Sequence, residues 1–179
     1  MLHITHRISK LKIAILVVAT FSCASSYALK DDEEQPLNIV SAEQIADFNS
    51  NKAIFLKDVI ATQGSMDLRA DKAELTRNSD GKLKEIKAYG KPATFKQDQD
   101  NGKKIHSQSS IIQFLPEKNL LILIGRATIW QDNSHVDGER IEYNTVTKQL
   151  KATNDNSQGG RVQSTFIPQE LKDDDSKKE

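Results

Sequence analysis

Through most of residues 37–167 apolar and polar side chains alternate with a period of two, the spacing of strands that bury one face. Met66, Leu68 and Ala70 fall on one side of such a strand, and Asp67, Arg69 and Asp71 on the other. Turn-forming residues interrupt the alternation repeatedly, at 49–51, 63–64, 79–81, 90–92, 101–102, 115–117 and 133–134. This pattern predicts an all-β chain. Its strands are expected over residues 37–41, 54–62, 66–69, 73–77, 83–89, 93–97, 110–115, 120–131, 136–137, 140–144, 149–153 and 162–167. Residues 41–48 read equally well as a short helix opened by Ser41 and Gln44 or as a strand over 44–48.

The pattern also repeats. Residues 66–75 align without gaps on a segment 68 residues later that ends Val136-Asp137-Gly138-Glu139-Arg140-Ile141-Glu142-Tyr143. In both copies the apolar phase slips by one at a small residue: Leu68 and Ala70 are even, Ala73 and Leu75 odd, as Val136 and Gly138 are even, Ile141 and Tyr143 odd. Such a slip turns the rest of a strand over unless the backbone bulges or corners there. The match extends upstream through 59–63 against 127–131 and, with small length changes, Ser41 and Phe48 against Ser107 and Phe114; downstream it pairs 83–88 with 147–152. Two β units of about 65 residues are marginal alone, so a single rolled or stacked antiparallel architecture is expected.

The N-terminus has a different character. Arg7, Lys10 and Lys12 precede an uninterrupted, mostly apolar run of nine residues from 13 to 21, and Ser26-Tyr27-Ala28 supplies small residues at a cleavage site. Residues 1–28 are read as a secretory signal peptide cleaved after Ala28. A retained membrane anchor is the alternative, but the run falls well short of the roughly 20 residues a bilayer core requires. Cys23 lacks the aliphatic residue three positions earlier that a lipoprotein cysteine requires. The whole chain balances 25 basic against 25 acidic residues, but without 1–28 it carries 22 against 25. A net acidic, cysteine-free remainder excludes a disulfide framework and argues against nucleic-acid binding. Residues 29–36 form a charged leader and 172–179 a polar tail, both expected to be disordered.

Chemistry is sparse. After residue 28 only His106 and His135 remain, without a neighbouring ligand at metal-binding spacing. Gly64, Gly90 and Gly125 stand alone, which gives no phosphate-cradling loop. Asp71 with Glu74 and Glu139 with Glu142 recur beside Lys72 and Arg140, as on an exposed strand face with local ion pairs. No enzyme, cofactor or metal site is expected. Apolar residues amount to 37% and aromatic ones to 6%, a thin supply for a closed core.

The heptapeptide Tyr89-Gly90-Lys91-Pro92-Ala93-Thr94-Phe95, after Leu68-Arg69-Ala70-Asp71-Lys72-Ala73, resembles the OstA-like family of periplasmic lipopolysaccharide-transport bridge proteins. Supporting segments are 35–39, 59–64, 99–103 and 136–143, and the resemblance covers about 35–171. One departure lies at Leu56-Lys57-Asp58-Val59 and Ile124-Gly125-Arg126-Ala127, where the family has Gly-Asn pairs and only Gly125 is kept. It leaves the geometry of those two turns open.

The resemblance implies a twisted antiparallel V-shaped β-jellyroll of about sixteen strands over residues 37–171, open at both ends. It also implies a lipopolysaccharide-binding carrier whose interior shields lipid A acyl chains between inner and outer membranes. Implied partners are inner-membrane-anchored and outer-membrane components of the transport machinery, and further copies joined head to tail through terminal strands. Leu37, Ile39, Phe95 and Phe114 match the family's inward apolar sites, with Ile105 and Leu123 added to the lipid path. The edge strands named for pairing are 37–41 and 162–167, with Leu37, Ile39, Val162 and Phe166. The thin apolar composition suits an interior completed by a ligand, and an unclosed sheet leaves edges for strand addition. A lipid-free structural repeat protein and the membrane-anchored sister component of the same pathway are the other readings.

Overall fold

The computed structural model describes residues 32–99, 101–154 and 160–167. The signal peptide, its cleavage site and the polar tail lie outside the described residues. The alternating pattern builds ten antiparallel strands in one sheet: β1 (Asn38–Val40), β2 (Glu43–Asp47), β3 (Lys52–Gln63), β4 (Met66–Arg77), β5 (Leu83–Asp98), β6 (Lys104–Leu115), β7 (Leu120–Gln131), β8 (Ser134–Asn144), β9 (Leu150–Thr153) and β10 (Gln163–Thr165). Their order is β1-β3-β4-β5-β6-β7-β8-β10, with β2 also paired to β3 and β9 to β8. Residues 43–47 are therefore strand, not helix.

The phase slip has a structural cause. In β4, Met66 and Leu68 are buried before it and Ala73 and Leu75 after it, and the register against β3 and β5 shifts between. Neighbouring strands break at the same level: Leu56/Val59 in β3, Tyr89/Ala93 in β5, Gln108/Ile111 in β6 and Ile124/Ala127 in β7, the last facing Gly138 and Arg140 of β8. The aligned breaks crease the sheet into two leaves whose inward side chains share one core. Among the described residues the sheet has ten strands, where the resemblance implied about sixteen, because each long strand runs on through the crease as one element.

The repeat is visible in the backbone. Left-handed residues Asn51, Lys57, Asp58 and Gly64 recur 68 positions on at Asn119, Gly125, Arg126 and Asp132. Upstream, however, the equivalences differ from those expected. Ile39 faces Ala61 and Ser107 faces Ile129, so Ser107 corresponds to Ile39 and not to Ser41. Likewise Phe114, opposite Leu121, corresponds to Ala46, opposite Ala53. Downstream the expected equivalence of 83–88 with 147–152 holds, since Ala88 faces Ala73 as Ala152 faces Ile141. Phe48 lies in an exposed turn.

Three further expectations change. Gly90-Lys91-Pro92, read as a loop between strands, is the corner inside continuous β5, with a cis Lys91–Pro92 peptide. β6 begins at Lys104, ahead of residue 110, because its inward positions Ser107 and Ser109 are polar and break the pattern while being fully buried. Part of the leader is ordered. The Asp32 carboxylate accepts hydrogen bonds from Ser65 N (2.7 Å), Ser65 Oγ (2.7 Å) and Gln97 Nε2 (3.1 Å), and Gln63 Nε2 donates to the Gln35 carbonyl at 3.0 Å. An acidic side chain that satisfies a turn's N–H through charge-assisted bonds fixes a segment with no apolar anchor.

The two turns without the family's Gly-Asn pair keep one conformation. Lys57 (φ 62) and Asp58 (φ 50) adopt the left-handed region that Gly125 (φ 81) and Arg126 (φ 48) adopt in the second copy. That region costs a non-glycine residue roughly 1–2 kcal/mol, partly offset by glycine's larger loss of chain entropy. Lys57→Gly is therefore expected to raise stability by about 0.5 kcal/mol or more, read from the urea midpoint. Lys57→Ala, which loses the exposed 3.8 Å Glu43 ion pair without relieving the backbone, should not.

Candidate functional site

The middle of the space between the leaves is filled by side chains: Ile112, Leu121, Leu123 and Ile141 are fully buried. Room opens on either side of this packed centre. Toward β1, Leu37, Met66, Leu68, Phe95 and Phe114 surround an apolar cavity of ≈ 30 Å³. Toward β10 lies a larger groove of ≈ 670 Å³, whose apolar walls include Ile105, Ile129, Val136, Leu150, Val162 and Phe166.

The residues named from the sequence thus divide. Leu37, Phe95 and Phe114 meet at the first cavity; Ile105, Val162 and Phe166 meet at the second. Ile39 packs half-buried against the core from β1. Leu123, opposite Ile112 and Ile141, belongs to the packed centre and to neither opening.

Sequence reasoning missed the polar residues of the larger groove. Gln99 Nε2 donates to the Tyr143 phenol oxygen at 2.7 Å, and Gln131 Nε2 donates to Gln99 Oε1 at 2.6 Å. Burial pushes the Tyr143 phenol pKa up, with the Gln99 hydrogen bond acting the other way. The available signal was the repeat itself, since Tyr143 falls where the first copy has Leu75 and so brings a hydroxyl to an inward position.

The outer faces are charged and locally paired. Lys72 meets Glu74 at 2.7 Å and Arg140 meets Glu142 at 3.0 Å, exposed contacts that solvent and salt screen. His106 stacks on Trp130 with ring centroids 4.4 Å apart, and partial burial followed by Lys96 holds its pKa below the ordinary value. His135 Nε2 lies 3.5 Å from Asp137 Oδ2. Among the described residues no three His, Cys, Asp or Glu side chains are grouped to hold a metal.

The edges carry a second feature. β1 and β10 end the sheet order, and β2 and β9 complete those edges. Six of the seven exposed large apolar residues among those described lie on or beside these four strands, Val40, Ile45, Phe48, Leu150, Val162 and Phe166, while Val146 lies in the turn after β8.

Residues 38–149, from β1 to the turn after β8, match the family described as LptA/(LptD N-terminal domain) LPS transport protein. The chain belongs to this family. Among LptA-family relatives, it is 34% identical over 172 residues to the lipopolysaccharide export system protein LptA of Escherichia coli (strain K12), covering 94% of this chain and 92% of that one. Identity to LptA of Haemophilus influenzae is 35% over 162 residues, covering 89% and 93%. The crystal structure of Pseudomonas aeruginosa LptH, described as a periplasmic component of a lipopolysaccharide transport device, superposes with a TM-score of 0.71 at 23% identity. That match covers 78% of this chain and all of the LptH chain, which shows that the creased antiparallel sheet is the LptA-family fold.

Proposed function

We propose that this protein is a periplasmic carrier that binds lipopolysaccharide and passes it from inner-membrane-anchored components to the outer-membrane assembly site, shielding lipid A acyl chains between its two leaves. The observation that carries the proposal is the combination of LptA-family membership with an unclosed sheet that has apolar space on both sides of its packed centre. Each methylene withdrawn from water contributes about 0.8 kcal/mol, so a carrier needs apolar walls and no chemistry of its own. The lipid path runs past Leu37, Ile39, Phe95 and Phe114 and on to Ile105, with Leu123 the floor that moves as the leaves spread. Export follows cleavage of residues 1–28 after Ala28. The relatives are named for lipopolysaccharide export, which a lipid-free structural repeat does not account for.

The carrier also assembles head to tail, the β1 edge of one copy adding to the β10 edge of the next. Apolar side chains held in water at both edges, Val40 at 65% and Phe166 at 58% exposure, support this. Native mass spectrometry of the exported protein mixed with lipopolysaccharide tests both parts. A lipid-bearing protein and multiples of one copy are expected; in the Val40→Lys/Phe166→Lys double variant the multiples should vanish while the lipid-bearing monomer persists. No lipid adduct would sink the carrier, and unchanged multiples in the double variant would sink the edge assignment.

A further inference from the structure

The groove toward β10 differs from the cavity toward β1 in containing a buried polar cluster. Gln99 is 3% and Tyr143 2% exposed, and both border the groove beside Gln131. Walls that met only hydrocarbon would be better made of leucine, because an amide or phenol facing methylene loses hydrogen bonds it would make in water. The bonds within the cluster do not exhaust its capacity. Tyr143 accepts from Gln99 through its oxygen and keeps its proton to donate, and the Gln99 and Gln131 amides each use one of their two N–H groups. The volume, ≈ 670 Å³, falls in the range of sites that enclose a small ligand.

We infer that Gln99, Gln131 and Tyr143 form a polar subsite for an uncharged hydrogen-bonding group, a hydroxyl or an amide, carried on an otherwise apolar chain in this groove. The inference rests on the carrier reading and adds to it a preferred position: the cluster fixes the polar end of the chain, while Ile105, Ile129 and Val136 receive the hydrocarbon. A purely structural clasp is the competing role. Gln99 lies in the turn after β5 and Tyr143 on the opposite leaf, so the same bonds tie the leaves together. A clasp affects stability and all ligands alike, whereas a subsite affects only ligands that bear the polar group.

The test compares two probes of equal chain length, tetradecanoic acid and 3-hydroxytetradecanoic acid, titrated by calorimetry. The unaltered protein is expected to bind the hydroxylated chain about five- to tenfold more tightly, the effect of one neutral hydrogen bond. Tyr143→Phe should bring that ratio close to one while leaving affinity for the plain chain unchanged. Gln131→Met, which spares the phenol, should lower the ratio independently, with thermal midpoints confirming that each variant is folded. A ratio near one in the unaltered protein, or a ratio unchanged in both variants, would overturn the subsite alone. Binding of neither probe by the unaltered protein, with no lipopolysaccharide adduct either, would overturn the carrier reading and the subsite with it.

Discussion

Replacing Leu123 with alanine is expected to destabilise the protein by about 3 kcal/mol, within the 2–5 kcal/mol that fully buried leucines lose on truncation. Leu123 sits on β7 directly between Ile112 of β6 and Ile141 of β8, and all three are fully buried. Its neighbours belong to a regular sheet held by hydrogen bonds on both sides and can collapse little into the gap, so the cavity term adds to the lost transfer energy. Leu37→Ala, at a half-buried position beside an existing cavity, should cost less than half as much. Urea unfolding of both variants measures the difference. Equal losses would mean that the packed centre is not where the leaves are held together.

Gly90→Val is expected to cost at least as much, about 3 kcal/mol or more, or to prevent folding. A Cβ at Gly90 would stand 2.5 Å from the Ala93 nitrogen, 2.8 Å from its Cα and 2.8 Å from the Pro92 carbonyl carbon. These are backbone atoms of the same corner, so no rotamer change relieves the contact. The corner sets the level at which β5 breaks against β4 and β6, and displacing it misaligns the crease across the sheet. Gly81→Ala, where an added Cβ meets nothing within 4 Å, is the control. It should lose only about 1 kcal/mol, from the left-handed backbone at φ 78. Comparable circular-dichroism melts for the Gly90 and Gly81 variants would contradict this account of the heptapeptide.

Much of the fold was legible because the strands obey simple alternation and the two copies slip phase at equivalent places. Ala70 and Gly138 mark the crease in β4 and β8 in the sequence itself. The corner at Gly90-Lys91-Pro92 misleads because glycine and proline signal a turn equally whether a chain reverses or merely bends. Ser107 and Ser109 mislead in the opposite sense, as polar side chains at inward positions that hide the first half of β6. The ordering of Asp32 could not be read from local pattern at all, since its partners Ser65 and Gln97 lie 33 and 65 residues away in sequence.

The candidate site was partly legible through the family resemblance, which marks Leu37, Phe95 and Phe114 as inward apolar sites; the structure brings these three to one cavity. Leu123 has the same inward phase but lies at the packed centre, a distinction that depends on how the two leaves face one another and so is invisible along one strand. The Gln99–Tyr143 pair was missed because it joins a turn on one leaf to a strand on the other.

The central claim is that lipid travels between the leaves and not along their outer surface. Its most direct test is a photo-crosslinking residue placed at Phe95 in living cells, where the side chain is 3% exposed and borders the inner cavity, compared with one at exposed Lys84. The account predicts lipopolysaccharide adducts at Phe95 and none at Lys84; adducts at Lys84 with none at Phe95 would contradict it.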